Sequence, residues 1–202
     1  MTGRVVEVWR VRTETSNAVA AELERILAVD ERCRAEEFRF EHLRRSFVVR
    51  RGALRILLGC YLGVPPAAIQ LLYGSKGKPG IAGRNRIEFS AAHSSGLAVF
   101  AFTRGCEIGI DVERIWTLPE MQSIAKGFFC SAETQELLAM PLEQRERSFF
   151  FCWTRKEAYV KATGDGLSAP LDGFRVSVQP CGFGSPIHLA QQMRRAKTLT
   201  LP

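Results

Sequence analysis

Apolar residues crowd the start of the chain. Val5, Val6, Val8, Trp9 and Val11 predict a strand over residues 4 to 11. The period then lengthens to that of a helix. Val19, Leu23, Ile26 and Leu27 share one face behind Ser16, which suits an N-cap. Asp30 is placed to cap a second, strongly charged helix. A longer helix is expected from about Leu43 to Leu62, with Phe47, Leu54, Leu58 and Leu62 among its apolar positions. Gly63 and Pro65-Pro66 stop it. Ile69 to Tyr73 reads as a short strand, and Gly74 to Gly83 as a loop rich in glycine and lysine.

The middle of the chain is β-rich. Arg86 to Phe89 leads into small residues around His93, and Leu97 to Thr103 is a clear strand. Arg104-Gly105 makes a tight turn before a strand expected at Glu107 to Val112. Helices are expected near Glu120 to Phe129, Ala132 to Met140 and Gln144 to Thr163, the last ended by Gly164 and Gly166. Phe174 to Val178 reads as a strand, and the tail after Gln179 is Gly- and Pro-rich, then basic. The pattern is α+β, in two halves of similar element order that join near residues 103 to 106. The expected lobes are 1–103 and 104–202, with a site in the cleft between them.

With 202 residues, 46% apolar and 24% charged, the chain is long enough for a sizeable core and ordinary for a globular protein. No run of 18 uncharged apolar residues exists, and residues 1 to 12 lack a secretory h-region, so a cytoplasmic address is expected. The six cysteines form no Cys-x-x-Cys pair and are read as reduced thiols. The net charge of +7 and pI of about 9.4 attract polyanions without choosing among them. Eight arginines between Arg32 and Arg55 are interleaved with acidic residues, which fits a solvated helix face or a phosphate site.

Four short segments carry chemistry. In Gly109-Ile110-Asp111-Val112-Glu113, strand alternation turns Asp111 and Glu113 the same way. Their repulsion must be offset by a cation, a shared proton or water. Hard oxygen donors suit magnesium, which takes one or two carboxylates plus substrate phosphates. Trp153, Glu157 and Lys161 lie at i, i+4 and i+8, along one helix face. They form either an exposed ion pair beside an aromatic or a partly buried phosphate–metal site. Gly77-Lys78-Pro79, beside Lys76, is no P-loop, since no Ser or Thr follows the lysine; it reads either as a flexible basic turn or as a loop presenting a lysine and backbone amides to an anion. His93 lies among Ser90, Ala91, Ala92 and Ser94, where a ligand could approach closely; no Gly-x-Ser-x-Gly accompanies it.

In chain order, Gly77-Lys78-Pro79, then His93-Ser94, then Gly109 to Glu113, then Trp153 to Lys161 resemble the 4′-phosphopantetheinyl transferase superfamily, and most closely its surfactin-synthetase-activating type in the Trp-Lys-Glu-Ala version. The resemblance covers about residues 38 to 178. It implies a pseudo-dimer of two similar α+β lobes, each a small antiparallel sheet packed with helices, with coenzyme A in the cleft. Carried over residue by residue, Asp111, Glu113 and Glu157 match the Mg2+ ligands. Lys78, in its Lys-Pro pair with Pro79, and His93 match groups on the coenzyme's phosphates, and Lys161 the lysine at the pyrophosphate. Glu133 matches a further acidic residue near the site. Arg51 matches the arginine on the 3′-phosphate, with Arg44 or Arg45 sharing that work. Ala92 departs from the family's usual serine, and Ser90 from its usual asparagine.

The implied reaction is attack of a carrier-protein serine on the β-phosphorus of coenzyme A, releasing 3′,5′-ADP. Such transfer depends mainly on positioning and charge neutralisation, with Lys161 and His93 contributing and either Glu157 or a metal-bound water as base. The expected partner is an apo acyl or peptidyl carrier protein, of fatty-acid, polyketide, nonribosomal-peptide or lysine-pathway type. It would meet Met121 to Phe129, steered by the basic surface. A monomer binding neither nucleic acid nor membrane is expected. Three rivals remain: a basic nucleic-acid-binding protein, which lacks aromatics interleaved with its arginines; a metal nuclease using Asp111, Glu113 and Arg114, which lacks the expected lysine; and a relative that binds a carrier without catalysis.

Overall fold

The computed structural model describes residues 5–83, 86–166, 169–179 and 197–201. Its elements are β1 (Glu7–Arg12), α1 (Asn17–Arg25), α2 (Val29–Glu36), α3 (Glu41–Leu62), β2 (Leu71–Tyr73), β3 (Pro79–Ile81), β4 (Ile87–Ser94) and β5 (Leu97–Arg104). Then come α4 (Met121–Phe128), α5 (Ser131–Ala139), α6 (Leu142–Thr163) and β6 (Lys197–Thr198). The fold is α+β with small antiparallel sheets.

Ser16 caps α1 as expected, its hydroxyl accepting from the Val19 N–H. Asp30 does not cap α2. The helix starts two residues earlier from Ala28, and Glu31 reaches back to accept the Ala28 N–H. An acidic side chain in the first turn does the work expected of a cap. Helix α3 ends on Gly63 and α6 on Gly164, both left-handed.

One sheet has the order β4-β5-β1-β6. Strands β4 and β5 form a hairpin through Ser95 (φ 44°) and Gly96 (φ 80°), and β1 lies antiparallel to β5. Lys197–Thr198 pairs in parallel with β1, so the chain's end returns to the sheet formed by its beginning. The second sheet is a hairpin of β2 and β3. Its second strand falls inside the segment expected to be loop. The ladder from Leu71–Ile81 to Tyr73–Pro79 captures residues whose own composition favours a turn.

Two segments expected as strands, 107–112 and 174–178, carry no regular secondary structure and join no ladder among the described residues. Side chains take their backbone groups instead. Ser90 Oγ accepts from the Ile110 N–H and Glu133 Oε1 from the Val176 N–H; just past the first segment, Ser94 Oγ accepts from the Arg114 N–H. The Gly- and Pro-rich, then basic, tail lies outside the described residues from 180 to 196.

Three apolar clusters support the molecule. The largest joins α1, α2 and α3 to the face of the sheet that carries Phe89, Phe100 and Phe102. On the opposite face, Val8, Ala92, Val99 and Ala101 meet Ile108 and Ile110. The third unites α4, α5 and α6 around Phe129, Leu137, Phe149 and Cys152. Cys33, Cys60, Cys106, Cys130 and Cys152 are free thiols; Cys181 lies outside the described residues. Among the described residues, no helix is long and apolar enough to cross a membrane.

Candidate active site

Alternation along β4 sends its residues two ways. Ser90, Ala92 and Ser94 face the run 107–114, while Phe89, Ala91 and His93 face α3 and the cavities beside it. The Ser94 hydroxyl donates to Glu113 Oε2 at 2.8 Å. Two serines thus hold the acidic segment along β4, and one of them orients a carboxylate. The sequence reading missed both. The available signal was their spacing of four in a strand, which places them on one face.

Gly109 presses the same run onto α6. A Cβ there would lie 1.8 Å from the Ala158 carbonyl oxygen and 2.6 Å from the Ala162 nitrogen. This approach sets Asp111 against Lys161, with Nζ 2.6 Å from Oδ1. The Asp111 side chain is 6% exposed, and its Oδ2 is buried without a hydrogen-bond partner. Glu157 is close enough to feel these charges. Burial raises its pKa most, Asp111 and then Glu113 raise it further, and Lys161 opposes them.

The donor chemistry fits a hard divalent cation: three carboxylates, one with a buried oxygen that nothing satisfies. Among the described residues, no three such groups are drawn together as a formed metal cage. Instead, Lys161 stands where a cation would meet Asp111, and Glu113 is turned to Ser94.

Trp153, Glu157 and Lys161 all line one cavity of about 490 Å³, so the helical stripe read from the sequence faces a cleft rather than bulk water. Lys76 to Pro79, Phe89 to Ala91 and Phe128 form other walls. Lys78 Nζ donates to the Ala162 carbonyl at 2.6 Å, fastening the β2–β3 hairpin to the C-terminal end of α6.

Pro79 and Ala91 also line a neighbouring cavity of about 410 Å³, together with Arg34, Arg50, Arg51 and His93. Among the described residues, no carboxylate lines it. Burial, then Arg51 and Arg34, pull the Arg50 pKa down to about 10. His93 is half enclosed by protein. Burial, then Arg50 and Lys161, hold its pKa down to about 4. Arg34 and Arg50 were visible in the sequence only as members of a charged stretch.

The remaining candidates separate. Arg45 lines a third cavity of about 500 Å³ with Arg50 and His93; its Nη1 reaches the Thr15 carbonyl at 3.4 Å, and its Nε is buried without a partner. Arg44 lines none of these cavities and pairs with Glu24 and Glu41. Glu133 is fully buried. Its Oε2 meets Lys156 Nζ and the Cys130 N–H, each at 2.8 Å, and its Oε1 accepts from Val176 at 2.6 Å. Both oxygens are committed to holding α5, α6 and residue 176 together. Ala92 belongs to the apolar cluster with Ile108 and Ile110, and also borders the arginine cavity.

The sequence pattern of the 4′-phosphopantetheinyl transferase superfamily matches residues 107–199. The chain is 39% identical over 178 residues to the 4′-phosphopantetheinyl transferase HetI of Nostoc sp. strain PCC 7120, a match covering 87% of this chain and 75% of HetI. It is 31% identical over 161 residues to the transferase psf-1 of Bacillus pumilus (80% of this chain, 68% of that one). Against the transferase Sfp of Bacillus subtilis strain 168 it is 38% identical over 106 residues, covering 52% of this chain and 46% of Sfp. The nucleic-acid and non-catalytic readings draw no support from these likenesses. The chain belongs to the 4′-phosphopantetheinyl transferase superfamily, as an enzyme of its Sfp-like type.

Proposed function

We propose that this enzyme transfers the 4′-phosphopantetheine arm of coenzyme A to a serine hydroxyl of an apo carrier protein and releases 3′,5′-ADP. One observation carries the reading. A cavity bearing Glu157 and Lys161 beside Asp111 and Glu113 shares Pro79 and Ala91 with a cavity lined by three arginines and His93. Carboxylates for a cation and guanidinium groups for phosphates therefore border one continuous strip of surface.

Asp111, Glu113 and Glu157 are the residues to hold Mg2+, which when bound neutralises and polarises the diphosphate. Lys161 adds positive charge where the departing 3′,5′-ADP gains negative charge. The carrier serine Oγ bonds to the β-phosphorus as the bond to the bridging diphosphate oxygen breaks. Glu157 takes the hydroxyl proton. Arg51, with Arg50 and Arg34, receives the 3′-phosphate. Neutral His93 donates a ring N–H to a phosphate oxygen. Lys78 and Pro79 border the diphosphate.

We read residues 1–103 and 104–202 as two lobes with the site between them, in a monomer that acts in the cytoplasm and binds neither nucleic acid nor membrane. Half-exposed Phe128 and Trp116 suit contact with the carrier near Met121 to Phe129. Incubation with coenzyme A, Mg2+ and a purified apo carrier, followed by mass spectrometry, tests the reading. The carrier gains the mass of one phosphopantetheine arm, and the gain disappears with EDTA or in Glu157→Gln. Absence of any gain on carriers of every class, together with no coenzyme A binding, overturns it.

A further inference from the structure

Glu31 lies in the first turn of α2 with a side chain 3% exposed. Its Oε2 is fully engaged, accepting from Arg55 Nε at 2.5 Å and from the Ala28 N–H at 3.0 Å. Its Oε1 is buried without a hydrogen-bond partner, and Arg51 Nε lies 3.9 Å away. A buried carboxylate oxygen without a donor costs stability, so this placement needs a reason beyond packing.

Arg55 does not supply that reason. It is 1% exposed and locked on one side by Glu31, and its Nη1 donates to the carbonyls of Pro66 and Ile69 at 3.0 and 3.1 Å. It neutralises Oε2 and fixes the carboxylate, so Oε1 cannot swing away. Arg51 is the residue that Oε1 faces.

The Arg51 side chain is 16% exposed and held on several sides. Its Nη2 donates to the Tyr73 hydroxyl at 2.7 Å, and its guanidinium lies 5.7 Å from the ring centres of both Phe47 and Tyr73. In front is the cavity it shares with Arg34, Arg50 and His93, which no carboxylate among the described residues lines. Like charges in that cavity repel one another. The Glu31 charge sits behind Arg51, outside the cavity wall, where it opposes that repulsion without occupying ligand space.

We propose that Glu31 is a positioning residue for coenzyme A. Its Oε1 anchors Arg51 from behind, so that the guanidinium meets the 3′-phosphate already oriented. The inference rests on the coenzyme A reading above and adds a residue to it. A group held rigidly before binding spares the ordering cost that a free arginine would incur.

The test is calorimetric binding of coenzyme A and of 3′-dephospho-coenzyme A to the wild-type protein and to Glu31→Gln. Transfer kinetics and a thermal melt accompany it. Expected is a loss of about tenfold in coenzyme A affinity, no change for the dephospho compound, and a raised KM with kcat at saturation retained. In an Arg51→Gln background the Glu31→Gln effect vanishes. Should Glu31→Gln not fold, Glu31→Gln with Arg55→Met removes the buried charge together with its partner, and the same outcomes apply. Equal weakening of both compounds, or unchanged coenzyme A affinity, overturns the proposal. A wild-type protein that binds coenzyme A but transfers nothing defeats the transferase reading while leaving this binding comparison decisive.

Discussion

The backbone at Gly109 meets the Ala158 carbonyl so closely that a single added carbon would lie 1.8 Å from that oxygen. The partner is main chain inside a 22-residue helix, so it cannot swing aside. Gly109→Ala must therefore lift residues 109–113 off α6 and separate Asp111 from Lys161. Transfer should fall by more than about a hundredfold, the scale of losing a positioned charge, and the melting temperature should drop. Measured rates within a few-fold of wild type would show that the segment relaxes without moving Asp111.

Lys161 occupies the Asp111 oxygen that the proposed divalent cation would use. Removing the ammonium by Lys161→Ala leaves Asp111 Oδ1 without its 2.6 Å partner, beside an Oδ2 that already has none. Mn2+ or Mg2+ titrated into the coenzyme-free variant should bind more tightly than to wild type. The transfer rate should nonetheless fall by about two to three orders of magnitude, because on the proposed mechanism the lysine also stabilises the departing 3′,5′-ADP. Calorimetry and steady-state rates on one preparation read both effects.

His93 gives a pH dependence of definite sign. Its folded pKa is about 4, against an ordinary value of 6.5. The folded state thus binds fewer protons than the unfolded chain between those values. The contribution to stability is complete above pH 6.5 and is lost as pH falls toward 4. His93→Gln should flatten the stability–pH curve in that window. A phosphate neutralising Arg50 and Lys161 relieves part of the cause, so 3′,5′-ADP binding near pH 5 to 6 should take up protons. Titrations in buffers of different ionisation heat detect the uptake, and His93→Gln removes it.

Glu133 and Lys156 form an ion pair in which both side chains are 0% exposed. Lys156 also donates to the carbonyls of Leu171 and Phe174 at 2.6 and 2.7 Å. Breaking such a pair from one side typically costs about 3–5 kcal/mol. Lys156→Met and Glu133→Gln should each unfold at markedly lower denaturant concentration. The double variant Glu133→Leu with Lys156→Met should recover part of the loss. Equal losses in stability and activity across the set would mark this pair as support for α6 rather than a participant in proton transfer.

Periodicity made the helices legible. The Ser16 cap, the terminal glycines at 63 and 164, and the stripe of Trp153, Glu157 and Lys161 stand where local rules place them. The strands were harder to read, because a strand exists only through its partner. Residues 79–81 have turn-like composition yet pair with 71–73, while 107–112 has a strand's composition yet spends the Ile110 N–H on Ser90. The capping of α2 by Glu31 rather than Asp30 belongs to the same class, since two acidic neighbours compete and side-chain reach decides.

By itself the sequence determined the kinds of chemistry available: hard oxygen donors in Asp111, Glu113 and Glu157, a lysine one helical turn beyond Glu157, and a surplus of arginine before residue 55. These follow from residue type and short spacing, which survive any folding. Only the tertiary structure decided which of them act together. It turned Arg44 toward Glu24 and buried Glu133 against Lys156. It joined Arg34, Arg50 and Arg51 to His93 across more than forty residues of chain, and set Glu31 behind them. The physical reason is that charge interactions depend on distance and on what surrounds the pair, and both are set by packing between elements far apart in sequence.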